Sequence, residues 1–234
     1  MPKKVILKNI NWGKYLFEFL SIFIAVVAAF ALNNWNDNRR DSKAESKILT
    51  EILQGFEKDI EDAQTNVMGH EVGIKACKYW RKIINNEPVS QDTLARHYLR
   101  LTRDFVSIQN TSGYEALKSK GLEIIKNDSL RSKIISLYEF EFKTVLKLEE
   151  DYHELQFQRN YFNEFNRIVA PHFQYDQKGN PVGIDLPLKI SKADKNIMLS
   201  YLWKIEINRG FILVMYAELE ETLMALSAEI EKEI

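Results

Sequence analysis

Eighteen residues, Tyr15 to Leu32, read YLFEFLSIFIAVVAAFAL and carry a single charge. As a helix rising 1.5 Å per residue they extend about 27 Å, close to the thickness of a bilayer's hydrocarbon core. A run apolar on every side can be satisfied only by lipid or by complete enclosure, and no later segment is patterned to enclose it. We therefore read residues 1–14 as a basic tail, 15–33 as a transmembrane helix and 34–234 as a helical soluble domain. Trp12 and Tyr15 at one end and Trp35 at the other are placed where amphipathic rings favour a membrane interface, and Asn33, Asn34 and Asn36 mark the exit. A cleaved signal peptide is the main rival, because Ala29-Phe30-Ala31 follows a lysine-bearing start. The apolar run exceeds the usual 7–15 residues of such peptides, and Glu18 interrupts its beginning.

The flanks carry equal numbers of Lys and Arg, so the positive-inside count is a tie. The leading tail holds Lys3, Lys4, Lys8 and Lys14 and no acid, which places the N-terminus in the cytoplasm. The expected location is the inner (plasma) membrane, crossed once, with the domain on the periplasmic or extracytoplasmic side. Glu18 is costly in lipid unless it snorkels, protonates or finds a partner, and Lys14 stands one turn before it. Ser21, Ala25 and Ala29 recur every four residues on a face with Glu18 nearby, a spacing of small residues that lets two helices approach closely. Self-association of the span through these four residues is the expectation.

Nine Gly and five Pro in 234 residues leave few breakers, so long helices and an all-α fold are expected. Ile48, Ile52, Phe56, Ile60 and Ala63 step by three and four, and the pattern resumes at Ile74, Cys77 and Trp80 before stopping near Asn85 to Pro88. Short helices follow, with Ser90, then Thr111 or Ser112, then Asp128 or Ser129 as starts and Gly121 as a C-terminal stop. Two long helices complete the reading. One runs from about Leu130 to Ala170 and ends at Pro171. The other opens on a capping box, Ser191 with Asp194, and runs nearly to the end. Between them residues 171–190 form a loop insertion with room for a hairpin, and the run Gly210–Ala217 is read as core.

FEFLSIFIAVVAAFALNNWNDNRR, followed by SGYEALKSKGLEIIKNDSLRSKIISLYE, resembles a family of uncharacterised bacterial single-pass membrane proteins. Glu18 matches that family's acidic residue. Asn33, Asn34, Trp35 and Asn36 match its exit motif, and Leu117, Lys118, Ser119 and Gly121 match part of its middle stretch. Phe17 stands where the family has glycine. The resemblance implies an anchored chain and no activity.

Site chemistry is sparse. One Glu-x-x-His, Glu150 with His153, is half of what a di-iron bundle requires, and it sits in an acidic run read as a solvated face. His70, His97 and His172 lack metal-ligand spacing. Cys77 stands alone, ruling out an intramolecular disulfide and reading as a small buried hydrophobe. No nucleotide, protease or hydrolase motif is present, so no enzyme activity and no cofactor are expected. Residues 41–234 hold 26 Lys/Arg against 31 Asp/Glu without a basic stripe, which argues against nucleic acid. The leading expectation is a membrane-anchored interaction or scaffold protein, with the bilayer, a second copy and a protein as partners. An extracytoplasmic sensor and an oligomeric pore formed by the span are the alternatives.

Overall fold

The computed structural model describes residues 12–234 of an all-α chain; Lys3, Lys4 and Lys8 of the basic tail lie outside the described residues. Helix α1 (Trp12–Ile84) contains one window long and apolar enough to cross a membrane, with a mean hydropathy of 2.3 and no residue of it buried. The chain divides into two compact units, up to Lys47 and from Ile48 onward.

In the second unit, the remainder of α1 packs with α2 (Leu94–Leu101), α3 (Ser112–Lys120), α4 (Asp128–Ser136), α5 (Phe142–Asp151), α6 (Phe157–Val169) and α7 (Lys192–Ile230). Strands β1 (Phe173–Tyr175) and β2 (Pro181–Ile184) form an antiparallel hairpin inside the expected insertion, turning at Gly179 with φ +80°. The two longest helices run antiparallel: Arg81 meets Glu206 at one end and Gln64 meets Glu220 at the other. On α7 the buried positions Met198, Leu202, Ile205, Arg209, Ile212, Tyr216, Leu219, Leu223, Leu226 and Ile230 step by four and three throughout. Ser191 caps this helix, accepting from Asp194 N at 3.0 Å.

Three local expectations are corrected. The helix expected over 130–170 is widened by a π-turn at one point and broken at another. Its apolar stripe advances by five from Leu137 to Phe142, one residue more than an α-turn holds, and the backbone answers with a π-turn over Leu137–Glu141. It stops at Tyr152, whose extended backbone (φ −73°, ψ 109°) precedes a new start at Phe157, where Asp104 accepts from Phe157 N at 2.7 Å. An acid arriving from another part of the chain thus replaces helical continuity. Ser90 does not cap α2: a 3₁₀ turn over Gln91–Thr93 intervenes, and Gln91 instead accepts from Ile184 N at 2.6 Å, tying the turn to the hairpin. For α4 the cap is Asn127, accepting from Leu130 N at 3.1 Å, one residue ahead of the expected start. Gly121, at φ +98°, ends α3 as anticipated.

Candidate functional site

Within the first unit the apolar helix exposes all of its named residues. Lys14 Nζ stands 3.9 Å from Glu18, one turn along the helix. Ser21 Oγ donates to Phe17 O at 2.8 Å, so its hydroxyl is satisfied within its own helix. Ala25 and Ala29 lie on the open surface of that helix. At the end of the apolar run Asn33 Nδ2 donates to Asp37 at 3.1 Å, and the Arg39 guanidinium stands 5.7 Å from the Trp35 ring centroid. Trp12, Tyr15, Asn34 and Asn36 are exposed.

The second unit holds a buried polar cluster that the sequence reading did not single out. Arg209 is fully buried at a core position of α7. Its Nη1 donates to His70 Nδ1 at 3.0 Å, and its Nη2 donates to Leu101 O at 3.1 Å and Arg103 O at 2.9 Å. The guanidinium carbon lies 4.2 Å from the Phe157 ring centroid. A guanidinium has only donors, so His70 Nδ1 accepts and the ring proton sits on Nε2, which is buried without a partner. Burial, reinforced by the Arg209 charge, holds the imidazole neutral and pushes its pKa down to about 3. Gly73 makes room for the arginine: a Cβ there would stand 2.3 Å from Nε.

Three carboxylates work beside it. Asp59 accepts from Asn110 N at 2.7 Å, Asp62 from Ile108 N at 2.9 Å, and Glu149 from Ser107 N at 2.7 Å and Ser107 Oγ at 2.8 Å. Tyr216 Oη also donates to Glu149. Desolvation raises the pKa of Glu149 and lifts that of Asp59 to about 6. Five of these bonds, to Arg103 O, Ser107 N and Oγ, Ile108 N and Asn110 N, serve one stretch of irregular chain, Arg103–Asn110, which joins α2 to α3. Outside any helix or sheet, its backbone has no ladder to bond to, and side chains of α1, α5 and α7 supply what a ladder would. The cluster is spent on backbone, so its chemistry is architectural.

Glu150 and His153 are both exposed, whereas Glu149, read as part of the same solvated run, is buried. Among the described residues no three His, Cys, Asp or Glu side chains gather closely enough to hold a metal ion. Cys77 is buried, and desolvation pushes its thiol up to about 12. Trp80 is core.

The outer face of α7 is different. Trp203, Ile207, Phe211 and Val214 are 59%, 55%, 44% and 56% exposed, and they share one side of the helix over three turns. Gly210 lies among them, and a Cβ added to it would meet nothing within 4 Å. The run Gly210–Ala217 is therefore only partly core: Ile212 and Tyr216 face inward, Phe211 and Val214 outward. No family model, no curated protein and no solved structure matches this chain.

Proposed function

We propose that the chain is a membrane-anchored interaction protein that associates with a second copy of itself. In this reading residues 15–33 cross the inner (plasma) membrane once, the basic tail stays in the cytoplasm and the helical domain lies outside it.

The outer face of α7 carries the proposal. The run Gly210–Ala217 is apolar on every side, yet Phe211 and Val214, in line with Trp203 and Ile207, have nothing over them within the chain. The four exposed side chains leave on the order of 400 Å² of apolar surface, as large as the biggest patch a monomer ordinarily shows. Trp203, Ile207, Gly210, Val214 and Ala217 alternate steps of four and three, the spacing of a seam between two helices. Gly210 and Ala217 leave gaps between its bulky residues, so one copy's bulk can enter the other's gaps. Gly210 costs the helix roughly 1 kcal/mol relative to alanine, and nothing inside the chain requires it; close approach of a partner would. Anchoring confines copies to one plane and raises their effective concentration, so a modest seam suffices. In the span, Ser21, Ala25 and Ala29 offer a second line of contact with Glu18 at its edge.

Oxidative cross-linking of the full chain in membranes tests this. Gly210→Cys and Phe211→Cys should each give a disulfide-linked dimer, while Ile108→Cys, 76% exposed on another surface, should stay monomeric. Equal cross-linking at all three positions, or none, would refute an α7 interface. Ala25→Ile against Val26→Ile reads the span contact separately, because only the former adds bulk to the small-residue face. A reporter fused at Ile234 decides the side of the membrane.

A further inference from the structure

Between α1 and α2 lie two clefts of about 570 and 340 Å³ that share Lys75 and His97 and so form one groove. The larger is lined mainly by apolar surface, Met68, Val72 and Phe105 included, and Arg96 and Arg100 belong to the same lining. The smaller is mixed, with Lys78, Lys82, Ser90 and Thr93 beside Pro88 and Val89. The lining holds five cations and no carboxylate. Helical spacing explains the alignment: Lys75, Lys78 and Lys82 fall at i, i+3 and i+7 on α1, and Arg96 and Arg100 at i and i+4 on α2.

Like charges so arranged repel. None of the five makes an ion pair among the described residues, although Arg81, Arg131 and Arg167 each find carboxylates. The chain as a whole is nearly neutral, so this is a local concentration of charge and not a basic protein's surface. His97 stands at the junction of the two clefts, its ring stacked on Tyr79 at 4.2 Å between centroids. Tyr79 is itself fixed by donating to Ser90 O at 2.8 Å. The buried His97 Nδ1 has no partner.

We propose that this groove binds a small soluble organic anion, a phosphate or carboxylate carried on a flat apolar body. The anionic group lies at the junction, within the field of Lys75, Lys78, Arg96 and Arg100 and beside His97. The apolar body covers Met68, Val72 and Phe105 in the larger cleft, whose volume is in the range of small-ligand sites. Charge-assisted contacts orient the head and the apolar lining supplies area, so neither part alone suffices. This site is separate from the outer face of α7 and stands whether or not the chain self-associates.

The test uses the full chain in phosphatidylcholine nanodiscs, titrated with 1-naphthyl phosphate by calorimetry. Saturable binding is expected, weakened about tenfold or more in Arg96→Gln/Arg100→Gln and again in Lys75→Gln/Lys78→Gln, each of which leaves the core untouched. Lys204→Gln, on α7 outside the groove, should bind as wild type. 1-Naphthol and inorganic phosphate, the body and the head alone, should each bind at least about tenfold more weakly. With selectively labelled histidines, the His97 ring should titrate at higher pH when the probe is bound, since a neighbouring anion favours imidazolium. Binding of 1-naphthol as tight as 1-naphthyl phosphate, unchanged binding in both double variants, or an unmoved His97 titration would overturn the proposal. So would loss of probe binding when phosphatidylglycerol replaces part of the nanodisc lipid, because the occupant would then be a lipid headgroup.

Discussion

Replacing Arg209 with methionine isolates what the buried guanidinium does. Methionine fills much the same volume without donors, so His70 Nδ1, Leu101 O and Arg103 O lose their partners together. Each buried acceptor left unmatched costs about 1–3 kcal/mol. Against that, the variant no longer holds a charge in a site where burial already pulls the arginine's pKa down to about 10, and relief of a buried charge returns a few kcal/mol. The balance is a net loss of about 3 kcal/mol, or about 6–12 °C in the unfolding midpoint of a domain this size. Arg209→Lys tests the geometry. Its charge survives, but a point ammonium cannot reach a ring nitrogen and two carbonyls as a planar fork does, and it should recover less than half of the loss. The assay is thermal unfolding of the full chain in nanodiscs at one scan rate, followed by far-UV circular dichroism, with amide exchange measured over residues 101–110. Exchange at Ser107, Ile108 and Asn110 should accelerate in Arg209→Met before global unfolding. A methionine variant melting within about 1 °C of wild type with unchanged exchange would refute the claim that Arg209 holds this segment.

Asp59→Asn should stabilise the domain near pH 8 and flatten its stability profile between pH 4 and 6, measured by denaturant unfolding across that range. Burial raises the aspartate's folded pKa from 3.8 to about 6, so the folded state binds its proton more tightly, and wild-type stability falls as pH rises through that window. His70 acts in the other sense: its pKa is lowered to about 3, so stability is lost as pH falls below 6.5, and the difference between wild type and Asp59→Asn cancels this contribution. Gly73→Ala and Gly210→Ala should move thermal stability in opposite directions. The first drives a methyl to 2.3 Å from Arg209 Nε and should cost about 2 kcal/mol. The second meets no atom within 4 Å and should gain up to about 1 kcal/mol in the monomer, while weakening the dimer read by cross-linking.

Much of the fold is legible where burial is periodic. The stripe on α7, its capping box, the arrest before Pro88 and the positive φ at Gly121 all follow from local rules that tertiary contacts leave in force. The start of α6 is not legible, for a distant reason. Helix α6 starts where it does because Asp104, more than fifty residues earlier, caps it, and no property of the residues at 152–157 announces that partner. The π-turn was within reach, since a step of five from Leu137 to Phe142 is visible in the sequence. So was part of the polar cluster. Asp59, Asn66 and His70 fall in the same three-and-four progression as Phe56, Ala63, Cys77 and Trp80, and Arg209 lies four residues after Ile205 and three before Ile212. Polar residues in phase with a core stripe are the signal, although each type alone is ordinary on a helix.

The same phase argument separates what α7 does inside the chain from what it offers outside. Its inward positions are filled and accounted for, with Arg209 satisfying the irregular segment and the aliphatic residues closing the core. Removing them from the count leaves Trp203, Ile207, Gly210, Phe211, Val214 and Ala217, a second progression on the far side that folding of the monomer does not use. Two interleaved stripes on one helix make the run Gly210–Ala217 look uniformly apolar, which is why it reads as core in sequence. An exposed tryptophan and a mid-helix glycine without an internal neighbour are both unfavourable for an isolated chain. The geometry that offsets both at once is a second helix laid along this face, its bulk seated over Gly210 and its apolar surface against Trp203.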